Sequence, residues 1–265
     1  MLLRDQVVLV TGASVGIGRS LAVGLAAEGA IVGVNFKNSR EDAKETCRLI
    51  EQAGGVARLV PGDISKKEEA ERVVEETVQS FGRINALINN AARTRFGPFC
   101  EVTEEDWLDV ANTNLKGTFF TSVAAVRFMS QRDGGSIVNV SSCAARLMVR
   151  FHSLYAMSKG GIETLTQQLA VELAPLIRVN CIAPGPTSTA RNRRYDVHYD
   201  GNWGRVIPMK RVAAPEDMVG AVAFLVSPRA SFITGQVVRI DGGWTLKGHT
   251  PDLEKEDFSS DRSLG

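Results

Sequence analysis

Short runs of β-branched and apolar residues alternate with longer segments of helical periodicity along most of the chain. We predict strands at about Val7–Thr11, Ile31–Phe36, Val56–Pro61, Ala86–Asn89, Ser136–Val140, Arg178–Ile182 and Val237–Ile240. Apolar strands separated by single helices are typical of a parallel sheet that is covered on both faces. The sequence therefore predicts an α/β fold, a Rossmann-type doubly wound parallel sheet of about seven strands with helices on both faces.

Polar residues mark the starts of several predicted helices. Ser39, Ser65 and Thr103 each precede an acidic residue three positions later, which is the pattern of a capping box or a close variant. We therefore expect N-caps at these positions.

The composition is that of a soluble globular protein, with 44% hydrophobic and 23% charged residues in a chain of 265. A net charge of +1 provides no field that would gather nucleic acid or an anionic membrane, so neither is an expected partner. The first apolar run, Val7 to Val10, is too short for a signal peptide or a membrane span, which predicts a cytoplasmic protein. We expect one dinucleotide-binding and catalytic domain over residues 1–246 and a polar, acidic tail over 247–265.

The four cysteines are widely spaced and include no Cys-x-x-Cys pair, and the chain has only three histidines. This pattern lacks the spacing of metal ligands. It predicts buried free thiols at Cys47, Cys100, Cys143 and Cys181, and no metal.

A glycine-rich turn follows the first strand and opens the first helix. Gly12 permits a tight turn, Gly16 lets the backbone approach a diphosphate, and Gly18 lets the helix pack closely on the strand. The helix N-terminus adds unpaired N–H groups for the phosphates. The spacing is Gly-x-x-x-Gly-x-Gly rather than the usual Gly-x-Gly-x-x-Gly. The alternative interpretation is a glycine-rich turn between strand and helix that binds no ligand. In the first unit of a repeating βα chain, the turn predicts a dinucleotide site.

The end of the second strand indicates which dinucleotide. An acidic residue about 20 positions beyond the glycines would accept the ribose 2′-hydroxyl of NAD, but the first acid here is Glu41. Lys37, Ser39 and Arg40 are suited to a 2′-phosphate instead. NADP(H) is therefore the expected cofactor and NAD(H) the alternative, unless these residues simply begin the next helix.

Tyr155 and Lys159 lie four residues apart in a helical segment, so they share one face, and Ser142 follows the fifth predicted strand. Ketone reduction requires a proton donor at oxygen, and a phenol titrates at about 10. An ammonium about 5 Å away at an effective dielectric of about 20 contributes about 3 kcal/mol, or about 2.4 pKa units. We expect Lys159 to lower the pKa of Tyr155 and Ser142 to hold the substrate oxygen; the alternative is a core tyrosine beside a solvated lysine.

From about Gln6 to Trp244 the chain resembles the short-chain dehydrogenase/reductase family, including its 3-oxoacyl-carrier reductase-like and glucose dehydrogenase-like members. The landmarks in chain order are Thr11-Gly12-x-x-x-Gly16-x-Gly18, Asp63, Asn89-Asn90-Ala91-Ala92, Asn114, Ser142, Tyr155-x-x-x-Lys159, Pro184-Gly185 and Asp241-Gly242-Gly243. Two positions depart from the pattern: Ala92 stands where glycine is more common, and Val15 stands where NADP-preferring members are often basic.

The resemblance implies a catalytic tetrad in which Tyr155 is the acid/base, Ser142 positions the oxygen, Lys159 also binds the nicotinamide ribose and Asn114 supports a proton relay. Together with the residues above, the implied cofactor contacts are Gly12, Ser14, Gly16, Ile17, Gly18, Phe36, Lys37, Asn38, Ser39, Asp63, Ile64, Asn89, Ala91, Tyr155, Lys159, Pro184, Gly185, Thr187 and Thr189. Asp63, otherwise a helix cap, would approach the adenine, and Asn114 has the alternative of a locally satisfied helix residue. Homotetramers or homodimers are usual for the family.

Arginines concentrate in three segments expected around the substrate. The segments hold Arg93, Arg95, Arg146, Arg150, Arg191, Arg193, Arg194 and Arg205, against Asp196 and Asp200. This asymmetry suggests an anionic substrate bound by Arg93, Arg95, Arg146, Arg150 or Arg191 with Tyr195, unless the arginines face solvent or another subunit. Tyr195, Tyr199 and Trp203 form either a lid over the ligand or packing anchors.

The function expected from these features is an oxidoreductase that interconverts a ketone and a secondary alcohol. A sugar or polyol dehydrogenase with the same fold, possibly NAD-dependent, is the second interpretation. The third interpretation is a protein that senses a dinucleotide without catalysis. It gives the four candidate residues of the catalytic tetrad no function.

Overall fold

The structure, a computed structural model, describes residues 1–131 and 134–247. Its strands are Val7–Val10 (β1), Ile31–Phe36 (β2), Val56–Pro61 (β3), Ala86–Asn89 (β4), Gly135–Val140 (β5), Ile177–Pro184 (β6) and Val237–Ile240 (β7). All predicted strands are confirmed, and β6 extends furthest beyond its predicted bounds because it pairs with β7 as far as Pro184. Of the predicted tail over residues 247–265, all but Lys247 lies outside the described residues.

The strands form one sheet in the order β3-β2-β1-β4-β5-β6-β7, and each neighbouring pair is parallel. The chain winds outward from β1 to β3 and then returns to place β4 on the other side of β1. This reversal confirms the doubly wound sheet. Ligands of such sheets bind beyond the carboxyl ends of the strands at the reversal.

Helices cover both faces of the sheet. The α-helices of the described residues are Gly16–Ala27 (α1), Arg40–Gln52 (α2), Lys67–Phe81 (α3), Glu104–Val110 (α4), Thr118–Met129 (α5), Ser153–Glu172 (α6), Ala190–Tyr195 (α7), Tyr199–Val206 (α8) and Val219–Val226 (α9). Shorter helical segments are the π-helix Ala111–Gly117 and the 3₁₀ turns Phe99–Glu101, Cys143–Ala145, Pro215–Met218, Pro228–Ala230 and Trp244–Leu246. Buried side chains of α1, α2 and α9 form one core cluster, and those of α3, α5 and α6 form the other. Successive β1 side chains point to opposite faces of the sheet: Val8 and Val10 pack in the first cluster, and Leu9 packs in the second.

None of the helices in residues 1–131 and 134–247 has the length and apolar character that crossing a membrane requires.

The helix starts confirm one predicted cap and correct two. Thr103 caps α4: its hydroxyl accepts a bond from the Asp106 N–H at 3.1 Å, and the Asp106 carboxylate accepts a bond from the Thr103 N–H at 3.2 Å. Ser39 precedes α2 but makes no side-chain cap bond. Ser65 was the wrong cap for α3, because its hydroxyl donates to Asp63 at 2.7 Å and the helix begins only at Lys67.

Candidate active site

A cleft of about 590 Å³ lies beyond the carboxyl ends of the central strands. Residues predicted for the cofactor that line it are Gly12, Ser14, Gly16, Ile17, Gly18, Phe36, Lys37, Asn38, Ser39, Asp63, Ile64, Ala91, Pro184, Gly185, Thr187 and Thr189. Ser142, Tyr155 and Lys159 line the same cleft. The structure thus brings the glycine turn and most of the predicted tetrad into one space.

Glycine is required in the turn after β1 because side chains would collide there. Gly12 has a φ of 61°, and a Cβ on it would lie 2.9 Å from the Cα of Ala91. A Cβ on Gly18 would lie 2.2 Å from the Gly12 carbonyl oxygen. At Gly16 the nearest atom to an added Cβ is the Thr189 methyl group, 3.7 Å away. Gly12 and Gly18 therefore pack the turn, whereas Gly16 leaves room beside it.

Two asparagines hold this turn: Asn90, which belongs to a motif noted in the sequence, and Asn35, which was not selected. Asn35, near the end of β2, accepts a bond from the Gly12 N–H at 3.2 Å and donates to Val60 and Gly62 carbonyls. Asn90 donates to the carbonyls of Thr11 and Gly12 at 2.9 and 3.1 Å. The sequence signal for Asn35 was an amide within an otherwise apolar strand, because a buried amide needs hydrogen-bond partners.

The N-terminus of α1 is free to bind an anion. Its N-cap is Val15, whose side chain cannot accept a hydrogen bond, and the first turn has no acidic residue. Gly16 and Ile17, which begin the helix, line the cleft. Uncapped N–H groups and the positive end of the helix dipole suit the diphosphate of a dinucleotide.

The far end of the cleft holds a paired lysine. Lys37, which follows β2, places its ammonium 2.8 Å from Asp63. Burial alone would raise the pKa of Asp63, but hydrogen bonds from Lys37 and Ser65 hold it below its ordinary value. Asn38 and Ser39 line the cleft beside this pair, whereas Arg40, which begins α2, does not. The predicted 2′-phosphate contact at Arg40 therefore remains a prediction, whereas Lys37 and Ser39 lie in the cleft.

Tyr155 and Lys159 lie one turn apart on α6 and near each other, as predicted. The Lys159 ammonium is 5.6 Å from the centroid of the Tyr155 ring and donates to the Val140 carbonyl at 2.7 Å. Lys159 is only 1% exposed. Ser142, in the turn after β5, is a hydrogen-bond partner of the Tyr155 phenol. The Ser142 hydroxyl and the Tyr155 phenol thus lie together in the cleft, with the Lys159 ammonium near the phenol ring.

The pKa of Tyr155 corrects the sequence prediction. Burial raises this pKa, and the Ser142 hydrogen bond and the charge of Arg191 offset only part of that increase. The Lys159 ammonium, which donates to the Val140 carbonyl, does not reverse this increase. Burial also lowers the pKa of Lys159, to about 8. In the protein without cofactor, the phenol is therefore held in its neutral, proton-donating form.

The buried ammonium predicts a stability that depends on pH. Because the pKa of Lys159 is about 8 in the folded protein and about 10.4 in an unfolded chain, the unfolded state binds the proton more tightly. Folding stability then rises as the pH increases from about 8 to about 10.4. At pH values below about 8, burial of the charged ammonium lowers the free energy of unfolding by up to about 3 kcal/mol. Lys159→Met should therefore be more stable than the parent at neutral pH. This difference should disappear at high pH, where the lysine is neutral.

Urea unfolding at several pH values, without cofactor, measures this difference. Lys44→Met removes the same charge from an exposed site on α2 and should change the free energy of unfolding by less than about 1 kcal/mol at every pH. A Lys159→Met protein less stable than the parent at neutral pH would contradict the prediction.

Asn114 is completely buried in the π-helix and does not line the cleft. Its amide group donates to the Arg93 carbonyl and to Ser158, and its carbonyl oxygen accepts the Arg93 N–H at 2.8 Å. Ser158 in turn donates to the backbone carbonyl of Tyr155. Gly117, at the end of the same π-helix, packs against Ile64, since a Cβ on it would lie 2.9 Å from the Ile64 carbonyl oxygen. The Asn114 side chain therefore joins the turn after β4 to α6, and its part in a proton relay remains a prediction.

Asn89, a predicted cofactor contact, does not line the cleft. Its side chain is buried below the cleft, where its amide donates to Ser122 and Asn139. Successive strand residues point to opposite faces, so the turn residues Asn90 and Ala91 reach the cleft while Asn89 does not.

Three of the arginines predicted to bind substrate do not line the cleft. Arg95 pairs with Asp106 at 2.8 Å, and Arg146 pairs with the buried Glu163 at 2.8 Å. Arg150 lies over the Phe151 ring instead, 5.3 Å from its centroid. A carboxylate or an aromatic face outside the cleft holds each guanidinium, so the structure does not bring these three arginines into the cleft. The other two predicted arginines, Arg93 and Arg191, do line the cleft.

Aromatic rings form one wall of the cleft. The Phe96 ring lies 4.4 Å from the ring of His152 and 4.5 Å from that of Tyr195, measured between centroids. Tyr199 and Trp203 of α8 also line the cleft. The contact of Tyr195 with Phe96 connects α7 to the turn after β4. Phe96 and His152 were not predicted, since neither belongs to a motif.

The cysteines are free thiols; Cys47, Cys143 and Cys181 are buried as predicted, but Cys100 is exposed. Within residues 1–131 and 134–247, no group of three or more His, Cys, Asp or Glu side chains is arranged to hold a metal.

Known proteins are similar to this chain over most of its length. The family model described as enoyl-(acyl carrier protein) reductase matches residues 12–245. The 3beta-hydroxysteroid dehydrogenase 1 of Eggerthella lenta is 38% identical over 248 residues, which cover 92% of this chain and 95% of that relative. The chain belongs to the short-chain dehydrogenase/reductase family. The resemblance stated from its motifs is confirmed.

Solved structures of the family have the same fold. A short-chain dehydrogenase/reductase from Serratia marcescens BCRC 10948 matches with a TM-score of 0.87 and 32% identity, covering 92% of this chain and 100% of that one. A short-chain type dehydrogenase/reductase from Mycobacterium marinum matches with a TM-score of 0.87 and 31% identity, covering 92% and 97%. Family membership makes the chain an oxidoreductase of a class that uses NAD(H) or NADP(H).

Proposed function

We propose that this chain interconverts a ketone and a secondary alcohol by hydride transfer, with NADP(H) preferred over NAD(H). One observation carries the proposal: the hydroxyl groups of Tyr155 and Ser142 meet in the cleft that also contains the glycine turn and the uncapped N-terminus of α1. A proton donor, an oxygen-binding donor and a diphosphate cradle in one cleft are what carbonyl reduction requires.

In the proposed reaction each side chain has one task. The bound nicotinamide supplies a hydride to the substrate carbon during reduction, or accepts one during oxidation. Tyr155 donates a proton to the carbonyl oxygen as the alcohol forms, and it accepts that proton in the reverse direction. Ser142 binds the same oxygen without competing for the proton. The positive charge of Lys159 favours the phenolate left after donation.

The cofactor would extend along the cleft. Gly16 and the N–H groups of α1 would hold the diphosphate, and Lys37 with Ser39 would hold a 2′-phosphate. Thr187 and the backbone after Pro184 lie at the opposite end of the cleft and would hold the nicotinamide.

A turnover screen tests the proposed function. The purified protein is incubated with ketones, sugars and polyols, each with both cofactors, and the absorbance of reduced nicotinamide is followed. We expect turnover of ketones or secondary alcohols. Turnover confined to sugars or polyols would favour the second interpretation. Cofactor binding without turnover of any compound would favour a sensing role, and failure to bind either dinucleotide would overturn the proposal.

The preference for NADP(H) is tested at Lys37. A charge-assisted contact with the 2′-phosphate is worth about 1.5–3 kcal/mol, although Asp63 competes for the ammonium. We expect a higher kcat/KM with NADP⁺ than with NAD⁺, and we expect Lys37→Ala to lower only the NADP⁺ value, by about tenfold or more. Lys44→Ala, which removes an exposed lysine paired with Glu41, is the matched control. A higher kcat/KM with NAD⁺ in the parent protein would refute the preference.

A further inference from the structure

Among the arginines around the cleft, Arg191 is distinguished by the absence of an acidic partner. Arg93 lies 3.4 Å from Asp109, and Arg193 lies 3.3 Å from Asp200. Arg191 has no carboxylate oxygen within 4.0 Å in the part of the chain that the structure describes. Its guanidinium donates instead to the Ala92 carbonyl, at 3.5 Å. Arg191 is therefore a cleft cation whose charge is available to a ligand.

The position of this charge relates it to the reacting end of the cleft. Arg191 extends from α7 toward Ala92, in the turn after β4. Its charge acts on Tyr155 and Lys159 together and lowers the pKa of both. The diphosphate cradle is supplied separately, by Gly16 and the uncapped N–H groups of α1. These contacts associate Arg191 with the substrate rather than with the diphosphate.

Aromatic rings form a wall of the cleft that Arg191 also lines. Phe96, His152 and Tyr195 form a row of rings with centroids 4.4 and 4.5 Å apart. The imidazole is fixed in this row by a 2.9 Å contact of its Nδ1 with the Arg150 carbonyl. An aromatic wall favours an apolar body, including a ring that can pack against the edges or faces of these rings, and a guanidinium favours a carboxylate or phosphate.

We propose that the substrate is an oxo acid, or the corresponding hydroxy acid, with an apolar body, and that its anionic group pairs with Arg191 while its body packs on Phe96 and Tyr195. This inference rests on the proposed function and names its substrate class. A charge-assisted pair of this kind changes affinity by about 10- to 100-fold.

The test compares para-acetylbenzoic acid with its methyl ester, which share a ketone and a ring but differ in charge. Reduction of each is measured for the parent protein and for Arg191→Gln, Arg191→Lys and Arg194→Gln. Arg194 is exposed on the same helix and does not line the cleft, so its variant controls for the loss of one positive charge. The Kd of NADPH is measured for every variant by calorimetry.

We expect Arg191→Gln to lower kcat/KM for the acid by about 10- to 100-fold and to keep the Kd of NADPH within a few-fold. Because the variant also removes a charge that lowers the pKa of Tyr155 and of Lys159, kcat/KM for the ester should change as well, but by a few-fold at most. Arg191→Lys should recover part of the loss, and Arg194→Gln should behave as the parent. Rising salt should weaken the parent's preference for the acid. Equal losses for the acid and the ester would overturn the inference, as would a raised Kd of NADPH, which would assign Arg191 to the cofactor diphosphate.

Direct binding separates this inference from the proposed function. Trp203 and Trp244 line the cleft, so quenching of their fluorescence reports binding of the acid to the NADPH complex without turnover. Binding that Arg191→Gln weakens supports an anion site even if no ketone is reduced, a result that would defeat only the proposed function. Binding that Arg191→Gln leaves unchanged would overturn the inference even if the ketones are reduced.

Discussion

Replacing Tyr155 with phenylalanine is expected to lower kcat by about a thousandfold, within the range of about 10²–10⁴ for a positioned acid or base. The change removes one oxygen atom and leaves the ring between Lys159 and His152. Since the cofactor contacts proposed for the glycine turn are untouched, the Kd of NADPH should stay within a few-fold. The loss should appear in kcat because the phenol acts on the reacting oxygen.

Tyr199→Phe is the matched control for this experiment. It removes a second phenol oxygen from the same cleft, one whose partner is the amide of Asn192 at 3.3 Å. We expect its kcat to stay within a few-fold of the parent value. A Tyr155→Phe protein that retains a tenth or more of the parent kcat would show that another group moves the proton.

Gly18→Ala is expected to damage both the fold and cofactor binding. The new methyl group would lie 2.2 Å from the Gly12 carbonyl oxygen and 2.5 Å from the Asn90 amide, so the turn must shift. Overpacking of this kind costs about 1–3 kcal/mol, and the shift moves the Gly12 backbone out of the cradle. We expect the free energy of unfolding to fall by about that amount and the Kd of NADPH to rise by about 10- to 100-fold.

Calorimetry measures the Kd, and urea unfolding measures the stability. Gly220→Ala is the control, because an added Cβ there meets no atom within 4 Å and the site is an exposed helical position. Alanine is favoured over glycine in helices by up to about 1 kcal/mol, so the control should be at least as stable as the parent. Normal NADPH binding by the Gly18→Ala protein would contradict the structural account of the turn.

The sequence predicted those features that depend on local pattern. All strands were located because buried parallel strands are apolar along their length. Ser142, Tyr155 and Lys159 came together because one follows a strand end and the others share a helix face. The glycine turn followed from the same logic, since steric demands on Gly12 and Gly18 arise within a single βα unit and its nearest neighbours.

The features that the sequence did not predict depend on distant contacts. Arg146 appeared suited to an anionic ligand, but its guanidinium forms a salt bridge with a buried carboxylate, Glu163 on α6. A single step along the chain separates Asn89, which points into the core, from Asn90, which holds the turn. The charge of Lys159 taken alone predicts a lowered pKa for Tyr155, whereas burial of the phenol raises this pKa in the folded protein without cofactor.

The π-helix Ala111–Gly117 limits how this stretch of chain can change in length. Each residue of an α-helix turns the chain by about 100°, so removing one residue from this stretch would rotate α5 relative to α4 by that angle. Asn114 would then lose the Arg93 and Ser158 groups that it joins, or Gly117 would turn away from Ile64. Natural variants of this protein with insertions or deletions should therefore carry them elsewhere, at exposed turns such as the one around Gly54.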